Sequence, residues 1–552
     1  MKLNGAQIVV RQLIAHGATT VFGYPGGAVL TLYDELYKAS GKINHVLTAH
    51  EQGAVHAADG YARASGKPGV VIATSGPGAT NLVTGIANAY LDSVPLVAIT
   101  GNVSVPLLGR DSFQEVDIVG VTSSIVKHNF VVRSVDMLEH TISEAFRLAS
   151  SGRPGPVLVD IPKDVQSAEC EYVGKPSAQA KTKEPFGTFS LEKIAEAIKN
   201  SKKPCIYAGG GVLASGAGAE VLALSQKLGA PVGLSMMGLT ALPDSYTLNL
   251  GMCGMHGKYA ATAAKAECDL LIALGARFSD RATGNLGEYI KDKTIIHVDI
   301  DHAEIGKNVS PHMYICGDVK EVLTQLLPMI EPKKNDEWAA RVEQLKREQV
   351  EQEFESGAFN PKSIIETVER FCDDDTVVAT DVGQHQMWVT QYYKFKKPGT
   401  LLTSGGLGAM GYGLGAAVGG CLAKNKHRTV LFTGDGSFGM NLTELATAVS
   451  HDLPVLVVIL NNNSLGLPRQ WQSAFYGERY SQSTLDRKTD FAALAKAFGA
   501  NGHLATSLAQ LEGILAGLPN DRPTVIDCPI AIDELVLPMI PPGGSIKDII
   551  IK

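Results

Sequence analysis

The amino-acid sequence predicts an α/β protein made of three doubly wound domains, each built on a parallel sheet. Strand-like and helix-like runs alternate along the chain, the pattern of parallel sheets covered on both faces. Residues 70–102 and 429–462 share a strand, a Gly-rich turn, an Asn-Leu helix and a second strand that ends at Asn. The chain has 552 residues, too many for one core. We therefore predict that the first and third domains are alike and that a Rossmann-like domain separates them.

Two stretches between the predicted domains have the composition of connections. A polar stretch, residues 176–185, leads into the central domain. A charged stretch, residues 331–355, leads out of it and is predicted to form a solvated helix. We place the domains at residues 1–175, 190–345 and 360–552.

The composition excludes several classes of function. Apolar residues make up 45% of the chain and charged residues 19%, as in an ordinary α/β protein. The net charge is −7, which argues against a nucleic-acid partner. No apolar run reaches the roughly 18 residues of a membrane helix and no signal or transit segment is recognised, so a cytoplasmic protein without a membrane partner is expected. The eight cysteines form no CxxC pair, which indicates reduced residues.

The most informative stretch lies near the C-terminus. Residues 434–437, with the sequence Gly-Asp-Gly-Ser, end one apolar run, and the next apolar run stops at Asn461. Asp435 and Asn462 are 27 positions apart (462 − 435), the length of one βαβ crossover, so both are expected at the carboxyl ends of neighbouring parallel strands. Carboxylate and amide oxygens at a Gly-rich turn suit a hard cation that bridges a diphosphate. An ordinary βαβ turn with incidental polar residues is the alternative.

The central domain has weaker signals of a nucleotide site. Glycines 209–211 and Gly275 follow two predicted strands, and Asp299 follows a third. These are crevice positions of a Rossmann-like sheet. A run of three glycines is weak evidence, and an acidic residue at a strand end caps a loop more often than it binds ribose. An NAD-dependent dehydrogenase is disfavoured, because no G-x-G-x-x-G opens a helix with an acid about 20 residues later.

Glu51 and the pair Asp435 and Asn462 together resemble the sequence pattern of thiamine-diphosphate enzymes. A lone Glu that opens a helix usually belongs to a solvated face, but here its order and distance relative to the metal motif match the cofactor-activating Glu of that superfamily. Over essentially its whole length, the chain resembles the catalytic subunit of acetohydroxyacid synthase (acetolactate synthase). The motifs that carry this resemblance are residues 113–115, 161–165, 254–257, 277–278, 383–388, 404–411 and 469–471.

The resemblance implies that thiamine diphosphate and Mg2+ bind between a pyrimidine-binding first domain and a diphosphate-binding third domain. Glu51 is implied to hydrogen-bond the pyrimidine, and Met410 to hold the cofactor in its folded form. The implied thiamine-diphosphate contacts are Gly26, Gln384, His385, Gly408, Met410, Gly434, Gly436 and Ser437. The implied metal ligands are Asp435, Asn462 and Ser464.

Biosynthetic members of this family bind FAD in the central domain, and the chain keeps the matching positions. FAD-free catabolic relatives usually lack the Gly-Ala-Arg-Phe stretch found at residues 275–278. A structural role is expected for FAD, because the reaction has no redox step. Ser279 stands where the family commonly has Asp, which weakens one implied contact. The implied FAD contacts are Arg153, Gly210, Gly211, Met255, His256, Gly275, Arg277, Arg281, Asp299, Ile300, Asp318 and Val319.

The implied activity is that of a transferase. It decarboxylates pyruvate and joins the remaining two-carbon unit to pyruvate or 2-oxobutyrate, giving 2-acetolactate or 2-aceto-2-hydroxybutyrate for branched-chain amino acid biosynthesis. Arg277 suits the carboxylate of the second substrate, and Trp471 suits the ethyl group of 2-oxobutyrate. The resemblance also implies a homodimer or dimer of dimers and a small regulatory subunit. The implied catalytic residues are Glu51, Gln114, Lys163, Arg277, Met410 and Trp471.

Two alternatives remain open at this stage. The nearer one is another thiamine-diphosphate 2-oxo-acid decarboxylase, oxidase or carboligase; Gln114, Arg277 and Trp471 argue against it, and glyoxylate carboligases lack the Glu at position 51. The other is a non-catalytic nucleotide-binding protein on the same fold, which would be expected to lose the activating Glu or a metal ligand. Pro468 stands where the family commonly has another residue, and we expect it to stiffen the segment beside the site.

Overall fold

The computed structural model describes residues 1–174, 187–188, 190–348, 354–355 and 357–551. In these ranges the strands form three large sheets flanked by helices and one small two-stranded sheet. The predicted α/β architecture of three sheets is therefore confirmed. The predicted linker at residues 176–185 lies outside the described residues, and the domain boundaries stay predictions. No helix in the described ranges is long and apolar enough to cross a membrane.

The N-terminal unit is built on a six-stranded parallel sheet within residues 1–174. Its strands are β1 (Lys2–Asn4), β2 (Thr20–Tyr24), β3 (Asn44–Leu47), β4 (Gly69–Ala73), β5 (Leu96–Asn102), β6 (His128–Val131), β7 (Pro156–Pro162) and β8 (Glu169–Glu171). Its helices are α1 (Gly5–Ala15), α2 (Leu30–Lys38), α3 (Glu51–Ser65), α4 (Pro77–Thr80), α5 (Val83–Leu91), α6 (Ile118–Thr122), α7 (Leu138–Ser150) and α8 (Lys163–Ser167). The sheet order is β3-β2-β4-β5-β7-β6, and β1 pairs with β8 in the small sheet.

The central unit has its own sheet, with the order β12-β11-β10-β13-β14-β15-β9. Its strands are β9 (Gly187–Thr188), β10 (Pro204–Ala208), β11 (Val232–Leu234), β12 (Asn249–Met252), β13 (Leu270–Leu274), β14 (Thr294–Asp299) and β15 (Met313–Cys316). Its helices are α9 (Leu191–Asn200), α10 (Gly210–Ser215), α11 (Gly218–Leu228), α12 (Tyr259–Glu267), α13 (Asp280–Thr283), α14 (Leu286–Ile290), α15 (Val319–Leu326) and α16 (Asp336–Arg347).

Two features of the central unit differ from the sequence-based expectation. The edge strand β9 runs antiparallel to β15, so this sheet is parallel only in its other strands. Helix α16 lies in the charged stretch that was predicted to be solvated, but Trp338, Val342 and Leu345 are buried. These residues recur at helical spacing and form an apolar stripe, and the indole N–H of Trp338 donates to the backbone oxygen of Pro204 at 3.0 Å.

The C-terminal unit repeats the plan of the N-terminal one. Its strands are β16 (Val377–Thr380), β17 (Leu401–Leu402), β18 (Thr429–Thr433), β19 (Val455–Asn461), β20 (Asn501–Leu504) and β21 (Thr524–Pro529). Its helices are α17 (Pro361–Arg370), α18 (Gln384–Tyr392), α19 (Tyr412–Ala423), α20 (Asp435–Asn441), α21 (Leu445–Ser450), α22 (Gly466–Phe475), α23 (Phe491–Ala497) and α24 (Leu508–Ala516). The parallel order β17-β16-β18-β19-β21-β20 matches that of the first sheet strand for strand, which confirms the duplication.

Helices α3 and α19 join the two copies through direct backbone contact. A Cβ on Gly60 would lie 2.3 Å from the backbone oxygen of Ala416, and a Cβ on Gly419 would lie 1.9 Å from that of Ala57. Neither position has room for a side chain, so the glycines allow the helix axes to approach closely. Because α3 begins at Glu51, this contact fixes the helix that carries the predicted activating carboxylate against the C-terminal unit.

Candidate active site

The N-terminal unit brings its predicted functional residues to one edge of its sheet. Gly26 follows β2, Glu51 begins α3 after β3, and Lys163 begins α8 directly after β7. The carboxyl ends of parallel strands meet at this edge, where open α/β sheets bind ligands. Gln114 lies between β5 and α6 with a φ of 57°. Its backbone oxygen is 2.8 Å from the position that a Cβ on Gly76 would take, so this loop also packs against the edge.

Local hydrogen bonds fix the beginning of α3. Nδ1 of His50 accepts a hydrogen bond from the N–H of Gln52 at 3.1 Å. Oε2 of Glu51 accepts one from Nδ2 of Asn81 at 2.9 Å. Burial, and after it the charge of Glu51, raises the pKa of the Tyr33 hydroxyl well above its usual value, so this phenol stays protonated near the carboxylate. The second carboxylate oxygen of Glu51 has no protein hydrogen bond among the described residues.

Large apolar side chains are exposed along the same part of the N-terminal unit. Tyr24, Leu30, Leu47 and Phe113 are all exposed, and Phe113 is 89% exposed. Tyr24 ends β2 and Leu47 ends β3, so the exposed residues lie beside Glu51 rather than on the opposite face of the domain. We call these four residues the apolar edge. Exposed apolar patches of this kind mark interaction surfaces.

The C-terminal unit places the predicted metal residues at the matching edge of its own sheet. Strands β18 and β19 are parallel neighbours, with Thr433 paired to Ile459. Asp435 begins α20 just after β18, and Asn462 directly follows β19. The two residues thus lie at the carboxyl ends of adjacent strands, as their spacing predicts.

The oxygens of this group are buried. Asp435, Asn462 and Ser464 are each 5% exposed. Oδ1 of Asp435 and Oγ of Ser464 have no hydrogen-bond partner among the described residues. Burial raises the pKa of Asp435 to about 6. Buried oxygens without a partner are costly unless a cation or a donor satisfies them, so this donor set fits a divalent cation with oxygen ligands.

Residues at the beginning of α18 complete this group. Oε1 of Gln384 accepts a hydrogen bond from Nδ2 of Asn462 at 3.0 Å. Burial lowers the pKa of His385 to about 3, so its ring is neutral, and Nε2 has no partner among the described residues. A Cβ on Gly434 would lie 3.0 Å from Nδ1 of His385. Because residue 434 has no side chain, the backbone of the turn is left uncovered between His385 and the predicted metal residues.

The loop between β17 and α19 carries the remaining predicted cofactor contacts. Met410 is half-buried, and its Cε is 3.8 Å from the position that a Cβ on Gly436 would take. Gly408 is exposed and has a φ of 71°, which favours glycine. Oγ of Ser437 donates to the backbone oxygen of Val382 at 2.8 Å. The loop and the Gly-rich turn at Asp435 thus lie side by side.

A cavity of about 2210 Å³ contains all the predicted FAD contacts. Trp471, Pro468, Ser279 and Gly408 line the same cavity, so the predicted substrate-selecting Trp and the predicted FAD site share one space. The twelve predicted FAD contacts along its wall are Arg153, Gly210, Gly211, Met255, His256, Gly275, Arg277, Arg281, Asp299, Ile300, Asp318 and Val319.

Close backbone packing shapes the floor of this cavity. A Cβ on Gly211 would lie 2.6 Å from Cα of Gly275, so only glycine fits there. These residues follow the neighbouring parallel strands β10 and β13. The glycine run at residues 209–211 therefore allows the turns after β10 and β13 to contact each other through their backbones. These glycines have no side chains to fill the space at the strand ends, which is the crevice expected of a nucleotide site.

The acidic residues of the cavity already have structural partners. Oδ1 of Asp299 accepts the N–H of Asp301 at 2.9 Å, and Asp318 caps α15 through two backbone N–H groups. Arg153 donates to Asp301 at 3.1 Å and to Glu304 at 2.7 Å. Loop capping, the alternative that the sequence left open for Asp299, is thus present in the structure. The second carboxylate oxygen of Asp299, Oδ2, lies 3.7 Å from Nε2 of the buried His297.

Trp471 lies beside a cationic group that also lines the cavity. The guanidinium of Arg281 is 5.6 Å from the centre of the indole ring, and Phe475 packs edge-on at 5.9 Å. Pro468 lies in the first turn of α22, where a backbone N–H has no partner within the helix. The proline therefore removes no helical hydrogen bond, and Trp471 still faces the cavity.

Sequence reasoning missed three side chains that contact these groups. Asn81 binds Glu51, Glu444 accepts hydrogen bonds from the N–H groups of Ala49 and His50, and Asp92 binds the loop before Met410. Asn81 and Glu444 both follow the Gly-rich turns of the duplicated segment. The duplication was therefore a usable signal for those two residues, whereas nothing in the local sequence marks Asp92.

Sequence comparisons agree with this arrangement, in which two similar domains precede and follow a different central domain along the chain. Residues 3–121 match the N-terminal TPP binding domain of thiamine pyrophosphate enzymes, residues 191–326 match the central domain and residues 381–528 match the C-terminal TPP binding domain. The fold and the site together therefore define the class of enzymes whose cofactor is thiamine pyrophosphate, a synonym of thiamine diphosphate.

Relatives of known name narrow this class. The chain is 46% identical to the acetolactate synthase isozyme 2 large subunit of Escherichia coli, with all of both chains covered. It is 43% identical to the acetolactate synthase large subunit of Lactococcus lactis, over 98% of this chain and 95% of the relative. It is 42% identical to the probable acetolactate synthase large subunit of Methanocaldococcus jannaschii, over 99% of this chain and 95% of the relative. The chain belongs to the acetolactate synthase large-subunit family of thiamine-diphosphate enzymes.

Proposed function

We propose that this chain makes 2-acetolactate from two molecules of pyruvate, with release of CO2, and 2-aceto-2-hydroxybutyrate from pyruvate and 2-oxobutyrate. Identity of 42–46% to acetolactate synthase large subunits over nearly the whole chain carries the proposal. The products would serve the biosynthesis of valine, leucine and isoleucine. We keep the cytoplasmic location expected from the sequence as part of this proposal.

Product analysis tests this activity. The purified protein is incubated with pyruvate, with and without 2-oxobutyrate, in the presence of thiamine diphosphate, Mg2+ and FAD. We expect 2-acetolactate from pyruvate alone and both acetohydroxy acids from the mixture. If acetaldehyde were the sole product, the protein would be a decarboxylase. If the product were at the oxidation state of acetate and its formation required an oxidant, the protein would be an oxidase.

The residues present fit thiamine diphosphate and Mg2+. Asp435, Asn462 and Ser464 would hold the cation, because two of their buried oxygens have no hydrogen-bond partner in the described ranges of the chain. The neutral His385 and the open turn at Gly434 would receive the diphosphate. When bound, the cofactor supplies a carbon nucleophile and accepts the electrons released on decarboxylation.

Glu51 would exchange a proton with the pyrimidine ring. Asn81 anchors one of its carboxylate oxygens and leaves the other free for this contact. Arg277, which lines the cavity, would bind the carboxylate of the second 2-oxo acid through its planar fork. Met410 would support the folded cofactor from the neighbouring loop. General acid–base groups typically contribute about 10²–10⁴-fold to a rate, so Glu51 is expected to dominate these effects.

The cavity also fits FAD. Its glycine-lined crevice lies at the carboxyl ends of β10 and β13, and all the predicted contacts line it. Ser279 lines the cavity through α13, whose N-cap it forms without a side-chain hydrogen bond, so its hydroxyl is free to contact a ligand. We propose a structural role for FAD; the absorption spectrum of the purified protein would reveal bound flavin.

We propose a homodimer as the smallest active unit. Gln114 and Lys163 are exposed next to the apolar edge, so they would enclose a substrate only after another surface covers them. The predicted metal residues of a second copy of the chain, among them Asp435, would cover the apolar edge of the first copy. They would complete the cofactor site together with Glu51 of that first copy. The relatives are named large subunits, and we propose a small regulatory subunit as a further partner.

Mixing two inactive variants should therefore restore activity. Glu51→Gln and Asp435→Ala each damage a different half of the proposed shared site, so a hybrid dimer would contain one site with neither change. We expect up to about one quarter of the wild-type rate after subunits exchange at random. The measurement is acetolactate formation before and after mixing, with exchange followed by differently tagged subunits. Absence of recovery despite demonstrated exchange would mean that one chain supplies both halves of each site.

Trp471→Leu should reduce the preference for 2-oxobutyrate over pyruvate as acceptor. The indole is rigid and faces the cavity, so its truncation leaves a space where the extra methylene would be held. We expect the product ratio to shift toward acetolactate by about tenfold, which is about 1.4 kcal/mol. The measurement is a competition assay with both acids present, and Phe475→Leu, which removes the neighbouring ring, is the matched control. An unchanged ratio in a folded, active variant would assign Trp471 to packing alone.

A further inference from the structure

A buried carboxylate of the N-terminal unit holds the loop that carries Met410. Asp92 directly follows α5, and its side chain is fully buried. Its Oδ2 accepts a hydrogen bond from the N–H of Gly405 at 3.0 Å, and its Oδ1 accepts one from the N–H of Gly406 at 2.7 Å. Asp92 and these glycines are 313 and 314 positions apart in the chain. The contact therefore joins the two duplicated domains.

Arg63 forms an ion pair with Asp92 and connects it to the helix that begins at Glu51. Nη2 of Arg63 is 2.9 Å from Oδ2 of Asp92, and Nε is 2.6 Å from Oδ1 of Asp59. The side chain of Asp59 is also fully buried, and Oδ1 accepts the Tyr412 hydroxyl at 2.7 Å. Buried charges are tolerated when they are paired and fully hydrogen-bonded, as here.

A second contact holds the same end of this loop, at Ser404. Oγ of Ser404 donates to Oδ1 of Asn88 at 2.5 Å and accepts the N–H of Ala409 at 2.8 Å. Nδ2 of Asn88 donates to Asp59 at 3.1 Å, so both contacts belong to one network. The N-terminal unit thus binds the loop at residues 404–406, and within the loop Ser404 in turn binds Ala409.

The composition of this loop makes a fixed conformation costly unless other residues bind it. Four of its eight residues, 404–411, are glycines, and residues 405–408 are exposed. Glycine loses more conformational freedom than any other residue when it is fixed, so this segment is costly to order by itself. Two adjacent N–H donors also require two acceptor oxygens. A carboxylate supplies them, whereas an amide would turn one N–H group toward another.

We propose that Asp92 is a positioning residue: through the N–H groups of Gly405 and Gly406 it fixes the loop that presents Gly408 and Met410 to the cofactor. The significance of Met410 rests on the proposed function, but the ordering of the loop does not. Arg63 and Asp59 couple this loop to α3 of the same chain. The side chain that holds the loop thus comes from the domain that carries Glu51.

Asp92→Asn tests the proposal with little change in shape. We expect hydrogen–deuterium exchange of residues 404–411 in the cofactor-free protein to rise by at least about tenfold, because one of the two N–H acceptors is lost. We also expect the thiamine-diphosphate concentration for half-maximal binding to rise about tenfold by calorimetry, with the KM for pyruvate at saturating cofactor changed by less than about twofold. Asp375→Asn removes an exposed, ion-paired carboxylate and should change none of these quantities.

Gly406→Ala disturbs the same contact from the loop side and leaves the pair of Arg63 and Asp92 in place. A Cβ there would lie 2.8 Å from Oδ1 of Asp92, so the loop must move away. We expect the same local rise in exchange, and this variant decides the question if Asp92→Asn does not fold. Unchanged exchange of the loop in folded variants, or a rise spread evenly over the whole chain, would overturn the positioning role. A wild-type protein that binds thiamine diphosphate but makes no acetolactate would contradict the proposed function and leave the exchange result to judge Asp92.

Discussion

Glu51→Gln is expected to lower the rate of acetolactate formation at saturating cofactor by at least about 100-fold, since general acid–base groups contribute about 10²–10⁴-fold. An amide has nearly the shape of a carboxyl group and can still accept the hydrogen bond from Asn81, so α3 should keep its position. It cannot exchange a proton with the pyrimidine ring. The loss should therefore appear in turnover, with little change in the melting temperature.

A matched control separates this effect from loss of negative charge in the same domain. Glu171→Gln makes the same change from carboxylate to amide at a side chain that is 77% exposed and forms an ion pair with the N-terminal amine. It should retain full activity, because surface ion pairs contribute little. Retention of more than about a tenth of wild-type turnover by Glu51→Gln would remove the proton-exchange role, because such a loss is below the usual contribution of a general acid or base.

The sequence predicted those parts of the site that depend on local geometry. One βαβ crossover has a narrow range of lengths, so the spacing of Asp435 and Asn462 was enough to place both at neighbouring strand ends. The duplication was visible because each copy repeats the same order of strand, turn and helix. Identical strand orders in the two sheets follow from that repetition.

Element boundaries were less well predicted. A Gly-rich turn was predicted at residues 434–437, yet helical backbone begins at Asp435 and continues through a 3-10 turn at Leu442–Glu444. Its first residues include two glycines and a serine, which are weak helix formers, and here tertiary packing outweighs their preference. In α16 the abundance of charge concealed three apolar residues at helical spacing, so a packed helix was mistaken for a solvated one.

Contacts between domains could not be predicted from the sequence. Asp92 of the first domain meets the Met410 loop of the third across more than 300 positions. Periodicity describes one element at a time and is silent about side chains that face each other across separate domains. Gln114 and Lys163 are exposed in the single chain, so their catalytic roles stay predictions.

Asp435→Ala and Asn462→Ala should each raise the cofactor concentration needed for half-maximal activity far more than they lower the rate at saturation. Both side chains would hold the cation that anchors the diphosphate, and neither would contact the reacting carbon. Changes in the surroundings of metal ligands typically cost about 10–100-fold in affinity, so loss of a direct ligand should cost at least about 100-fold for the carboxylate and about tenfold for the amide. The measurement is a titration of thiamine diphosphate and Mg2+ against acetolactate formation.

Asn461→Ala provides the matched control because it is the adjacent residue and the same amide. Its Nδ2 donates to Asp527 at 3.0 Å and its Oδ1 accepts the N–H of Asn463 at 3.2 Å, so its side chain is used within the protein. We expect this variant to melt at a lower temperature and to keep the wild-type cofactor titration, since it loses two buried hydrogen bonds but no proposed metal ligand. If Asn462→Ala behaved like Asn461→Ala, with reduced stability and an unchanged titration, the turn would be an ordinary βαβ connection and the cation would have to bind elsewhere.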